Sequence, residues 1–276
     1  MVRYREKKYI CGKYLEVNIY PMFEIVKGKR KKIKQTSEVQ KALNNHNRKR
    51  KLTRLLNTNF TEEDLKVELT YADENLPEND EEVAKELRNF LRRLKRKRKS
   101  LGLPDLKYIV VTEKGKKTGR YHHHCVLSGG MLLKDIQDIW GKGFLRSTQL
   151  REGNRGFDAL AEYMEKNLTH GDIEENEKAW HASRNLIQPK ERTNDSRMTK
   201  RKARDLYEEP ETRENFEKLY PGYDFVECQP FYNEVNGQFY LSVYLQEKEK
   251  PKIKRRKKKK CKERYAKTLT NPVMNA

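Results

Sequence analysis

Between residues 64 and 71 apolar and polar side chains alternate, with Leu65, Val67, Leu69 and Tyr71 separated by Lys66, Glu68 and Thr70. A period of two predicts a half-buried strand. The period then lengthens. Val83, Ala84, Leu87, Phe90, Leu91 and Leu94 recur at helical spacing, while Arg88, Arg92, Arg93, Lys95, Arg96, Lys97 and Arg98 fill the other turns. One face of that helix is expected to pack and the other to be cationic. Gly102 and Pro104 stop it. Residues 108–112 then read as a strand, Gly115 and Gly119 as a turn, and residues 121–127 as the second strand of a hairpin. Leu132, Leu133, Ile136, Ile139 and Trp140 predict another amphipathic helix, which Gly141 and Gly143 break before a strand over 144–150. A last helix over about 155–169 carries Phe157, Leu160, Ala161, Met164 and Leu168 on one stripe. This order predicts an α+β layer, an antiparallel-containing sheet with helices on one face.

The flanks are less patterned. Residues 9–25 read as a strand pair or long strand interrupted by Gly12, and a basic run, 27–34, leads to a polar helix over about 37–56. Ser37 caps it, with a thin stripe of Val39, Leu43, Leu52, Leu55 and Leu56. Beyond Pro189 a polar, helix-like stretch extends to about Leu219, followed by a hairpin about the Asn236-Gly237 turn. The resulting division is an N-terminal strand and basic helical arm at 1–60, a core at 61–190, a helical and hairpin extension at 191–247, and a basic tail at 248–276. The extensions are expected either to help recognise a ligand or to lengthen the core sheet.

Charge narrows the class of partner. The 276 residues include 62 Lys and Arg against 41 Asp and Glu, a net +21, so a polyanion is the natural ligand and nucleic acid leads. The run at 254–260 is all Lys and Arg and is expected to stay disordered until it meets such a ligand. There is no long apolar segment and no secretory leader pattern, so the expectation is a cytoplasmic protein without membrane contact. Cys11, Cys125, Cys228 and Cys261 are far apart with no CxxC pair, which excludes a zinc ribbon and predicts reduced thiols.

Candidate chemistry centres on Tyr121-His122-His123-His124-Cys125, which holds three of the chain's six histidines. Strand alternation projects His122 and His124 from one face and His123 from the other. Two imidazoles on one face can share a metal, and Glu113, across the hairpin turn, can add a carboxylate oxygen to an open site. Tyr163 and Lys166, three residues apart, lie side by side on the last helix. A phenol with an unperturbed pKa near ~10 is a poor nucleophile, which a nearby cation and a metal-polarised phosphate would both assist.

Leu69-Thr70-Tyr71, then Arg120-x-His122-x-His124, then Tyr163-x-x-Lys166 resembles the three ordered motifs of HUH endonucleases. The resemblance covers about residues 60–190 and is to the rolling-circle replication initiators of plasmids, integrative elements and phages. Trp180-His181-x-Ser183-Arg184-Asn185-Leu186 adds to it without a role attached. It implies an RRM-like or ferredoxin-like nuclease core. It also implies His122, His124 and Glu113 as ligands of Mg²⁺ or Mn²⁺, Tyr163 as nucleophile, and Lys166 as the residue orienting phosphate or phenol. The reaction would leave a 5′-phosphotyrosyl enzyme and a free 3′-hydroxyl.

Single-stranded or hairpin origin DNA is then the expected partner, held by Arg88, Arg92, Arg93, Lys95, Arg96 and Arg120. No GxxxxGK[ST] loop is present, so a host helicase and DNA polymerase are expected to unwind and extend. Two other readings remain open. One is a conjugative relaxase or single-strand transposase with the same chemistry; the other is a non-catalytic basic nucleic-acid-binding protein whose histidines hold structural zinc.

Overall fold

A computed structural model describes residues 2–23, 38–115, 118–169 and 180–249. The basic run at 27–34, Ser37, and the tail with its 254–260 run and Cys261 lie outside the described residues, as do the side chains of Val39 and Leu168.

The alternating segment forms β3 (Leu65–Leu69), and the hairpin forms β4 (Tyr108–Lys114) and β5 (Tyr121–Leu127). With β6 (Leu145–Gln149) and β7 (His181–Ala182) they make an antiparallel sheet in the order β6-β3-β5-β4-β7. Between them run α2 (Asp80–Ser100), α3 (Leu133–Trp140) and α4 (Asp158–Thr169). Asn79 caps α2 by accepting from the Glu82 amide, and Gly141 ends α3 at φ +60°, a left-handed cap that glycine adopts without Cβ strain.

The expected helices on one face are α2 and α3. Leu87, Phe90, Leu94, Ile136 and Trp140 pack there on Val67, Leu69, Val110 and Cys125. The opposite face is covered as well. Ile109, Val111 and Val126 meet Phe157, Ala161 and Met164 of α4 and Leu52, Leu55 and Leu56 of α1 (Glu38–Asn59). A strand with apolar residues at both parities has two faces to bury, so the sheet is sandwiched. The N-terminal helix is therefore an arm only in its first half, where Leu43 is half exposed; its last turns are core.

The terminal segments do not lengthen this sheet. They build a second one, β8-β1-β2-β10-β9, from β1 (Arg3–Cys11), β2 (Tyr14–Met22), β8 (Lys190–Asn194), β9 (Tyr223–Asn233) and β10 (Gln238–Glu247). α5 (Lys200–Glu208) and α6 (Arg213–Leu219) cover one face through Ala203, Leu206 and Phe216. The stretch after Pro189 thus begins with a strand, β8, whose five side chains are all exposed and give no alternation to read. Gly12 turns β1 into β2 at φ +60°, and a Cβ there would stand 2.4 Å from the Asn57 carbonyl oxygen, so α1 passes hard against this turn.

Arg98 departs from the cationic face expected of α2. It is buried, and its guanidinium donates to the carbonyls of Pro104 (2.9 Å), Ser128 (3.0 Å) and Gly129 (2.7 Å), tying two loops to the helix end. Arg98→Met is expected to lower unfolding free energy by about 2 kcal/mol in urea titration, since it strands buried carbonyls that a charged donor satisfied. No change in the urea midpoint would mean that water replaces the guanidinium without loss.

Candidate active site

The alternation of β5 decides which groups meet. Tyr121, His123, Cys125 and Leu127 face α2 and α3, whereas His122, His124 and Val126 face α4. The hairpin register sets Glu113 directly opposite His122 and diagonal to His124. The Glu113 carboxylate lies 3.2 Å from His124 Nε2, and the Tyr163 hydroxyl, reaching down from α4, lies 3.3 Å from His124 Nδ1. The two rings meet edge to face, centroids 5.4 Å apart at 90°. Tyrosine, imidazole and carboxylate therefore stand in one line. With Nε2–H donating to Glu113, the neutral ring presents Nδ1 as the acceptor for the phenol proton.

Burial pushes the His124 pKa down, and Glu113 and Glu68 pull it part of the way back. Glu68 belongs to the same surroundings, since it pairs with His124 in the β3–β5 register. His122 completes the face; its Nδ1 is buried without a hydrogen-bond partner.

The middle histidine does something else. His123 is fully buried on the opposite face, bonded at Nε2 to the Tyr71 hydroxyl (2.8 Å) and at Nδ1 to the Thr112 hydroxyl (2.9 Å). Burial pushes its pKa down to about 3, so it stays neutral. Tyr71 packs edge to face on Trp140, whose Nε1 donates to the Thr70 carbonyl at 2.9 Å. The Leu69-Thr70-Tyr71 segment thus braces β5 from behind the face that carries His122 and His124.

Among the described residues no three His, Cys, Asp or Glu side chains form a ready metal cluster. The three expected ligands share one face, with Glu113 against His124 and His122 alongside. The donor set suits a divalent ion: a buried imidazole nitrogen lacking a partner, a second imidazole, and a carboxylate between them.

Other candidate residues are placed elsewhere. Lys166 is two-thirds exposed and ion-paired with Glu162 at 2.9 Å, and Glu162 also takes Lys49 at 3.0 Å. The cation against the Tyr163 ring is Lys66 of β3, with Nζ 3.6 Å from the ring centroid. Arg88, Arg92, Arg93, Lys95 and Arg96 are exposed on α2, across the sheet from Tyr163. Arg120 is exposed at the end of the β4–β5 turn and ion-paired with Asp73.

The residues about Trp180 close the edge of β4. Ser183 exchanges hydrogen bonds with the Tyr108 backbone, and Leu186 packs beneath α1 and α4. Cys11, Cys125 and Cys228 are buried free thiols; burial pushes Cys11 and Cys228 up to about 12 and Cys125 upward too, which makes them poor nucleophiles. No helix among the described residues is long and apolar enough to cross a membrane.

No curated protein and no solved structure matches the chain. Residues 64–168, from the start of β3 through α4 and including Glu113, His122, His124 and Tyr163, match the model of a family of replication-associated proteins of the ORF2 type.

Proposed function

We propose that this protein initiates rolling-circle replication by nicking single-stranded origin DNA through Tyr163. The observation that carries the reading is the line from the Tyr163 hydroxyl through His124 to Glu113, within the segment that matches a replication-associated family. A tyrosine hydroxyl held at an imidazole acceptor is arranged for attack on a phosphodiester. The phenol oxygen forms a bond to phosphorus as the bond from phosphorus to the 3′ oxygen breaks. The phenol gives up its proton and the departing 3′ oxygen gains one. The products are a 5′-phosphotyrosyl bond and a 3′-hydroxyl, so one phosphodiester is exchanged for another.

His122, His124 and Glu113 are the residues that would hold Mg²⁺ or Mn²⁺. Such an ion, when bound, would polarise the phosphoryl oxygen and stabilise charge that develops in the transition state. His124 keeps the hydroxyl pointed into the cleft, and the brace of Tyr71 and His123 keeps β5 from shifting under it. The exposed cations of α2, on the far side of the sheet, suit the DNA that flanks the nicked strand, by phosphate neutralisation. A host helicase and DNA polymerase would unwind the duplex and extend the 3′ end.

The test is incubation with labelled single-stranded oligonucleotides tiling the DNA around the protein's own gene, with Mn²⁺ or with EDTA. A denaturant-resistant protein–DNA adduct is expected with Mn²⁺ and absent with EDTA. Tight binding across the whole series without any cleavage would instead identify a non-catalytic DNA-binding protein.

A further inference from the structure

Lysine occurs at Tyr163 twice, once in sequence and once in space, and the two are different residues. In sequence the neighbour is Lys166, one turn along α4. Its ammonium turns back to Glu162, whose carboxyl it holds, together with Lys49, down at about 2. In space the neighbour is Lys66. Leu65 and Val67 face the α2 side of the sheet, so Lys66 between them faces α4, flanked in register by Val126 and Thr148. Its ammonium lies 3.6 Å from the centroid of the Tyr163 ring.

We propose that Lys66, and not Lys166, is the cation that positions the nucleophilic tyrosine. The inference rests on the reading of Tyr163 as nucleophile. Two contacts define the pose of the phenol: His124 takes its hydroxyl and edge, and Lys66 covers its face. An ammonium on a ring face is attracted by the ring quadrupole, most strongly where water is partly excluded. Burial lowers the pKa of this lysine, in keeping with such a site. A ring held on its face and at its edge cannot swing about its side-chain torsions. Its oxygen therefore stays where a scissile phosphate can meet it, and small displacements of a reacting atom are costly to rate. Lys66 is thus a positioning residue acting through Tyr163, supplied by a strand distant from α4 in sequence.

The experiment measures single-turnover cleavage and DNA affinity separately for Lys66→Met, Lys66→Arg and Lys166→Met. Lys66→Met, similar in length and uncharged, is expected to lower the rate at saturating DNA about 10-fold, with affinity within about two-fold of wild type. Lys66→Arg keeps a cation over the ring and is expected to recover most of the rate. The loss in Lys66→Met should exceed that in Lys166→Met. The reverse ranking overturns the proposal, as does a Lys66→Met defect confined to DNA affinity, which would make Lys66 a phosphate contact.

A second readout needs no activity. In the wild-type protein with ¹³C-labelled lysine, ring current should move the Lys66 ε-methylene resonance upfield, and Tyr163→Leu should return it to the ordinary position. Absence of that shift overturns the placement of Lys66. A wild-type protein that shows the shift yet never cleaves DNA overturns the nucleophile and, with it, the role assigned to Lys66.

Discussion

Tyr163→Phe is expected to eliminate the covalent protein–DNA adduct, a loss of at least about 10⁴-fold in cleavage, because it deletes the one atom that would bond to phosphorus. The rest of the site should survive. The ring remains between His124 and Lys66, its packing with Leu160 and Met164 is unchanged, and only a 3.3 Å hydrogen bond is lost. Stability should therefore change by less than about 1 kcal/mol, and affinity for single-stranded DNA should stay near wild type. Two measurements on one preparation check this: denaturing electrophoresis of an end-labelled oligonucleotide after incubation with Mn²⁺, and filter binding in EDTA. An adduct formed at the wild-type rate by Tyr163→Phe would transfer the nucleophile to another residue. Tyr121 is poorly placed to take over, since its side chain faces α2 and its hydroxyl bonds Asp80 on the other side of the sheet.

The legible parts of this site are those governed by local periodicity. A period of two in residues 121–127 is enough to put His122 and His124 on one face and His123 on the other. A two-strand hairpin is enough to bring Glu113 across from them. The apolar stripe of α4 fixes which side of that helix packs, and Tyr163 lies at its margin. The order of strands and helices from β3 to α4 follows from the same patterns.

What escapes such reading is set by long-range choice. Lys66 has the pattern of a solvent-facing strand residue, and only the docking of α4 over that face turns it into a neighbour of Tyr163. Lys166 has both a carboxylate and a phenol within one turn, and spacing alone does not say that Glu162 wins. Arg98 reads as one more cation in a basic run, yet it turns inward because three loop carbonyls converge on the helix end. The second sheet pairs β1 with β8 and β2 with β10, contacts between opposite ends of the chain that leave no local trace.

The seam between the two sheets offers the largest expected effect on stability. Glu16 of β2 is 7% exposed and faces α1, where it accepts from Arg54 Nε at 2.6 Å and from a second Arg54 nitrogen at 2.8 Å, and also from Arg50. Arg54 in turn lies 3.4 Å from the Tyr9 ring centroid. One carboxylate thus holds two guanidiniums that are themselves mostly buried, and it links the helix on the first sheet to the strands of the second. Glu16→Gln leaves both arginines without a counter-charge, and breaking a buried pair from one side is expected to lower stability by about 3 kcal/mol or more. For a chain of this size the melting temperature should fall by about 10 °C.

The pH dependence has a definite sign. Burial raises the Glu16 pKa, but the bonds and charges of Arg54 and Arg50 outweigh it, and the net shift is downward from the ordinary 4.5. A depressed carboxylate contributes its full stabilisation above the unfolded value and loses it as pH falls through the folded one. Urea titrations at pH 7, 5 and 4 should therefore show the wild-type advantage over Glu16→Gln constant between pH 7 and 5. It should shrink once the pH drops below about 4.5, where protons begin to bind the unfolded carboxylate first. Equal urea midpoints for the two proteins at pH 7 would show that the seam is held by its apolar contacts alone, with the ion triad contributing nothing net.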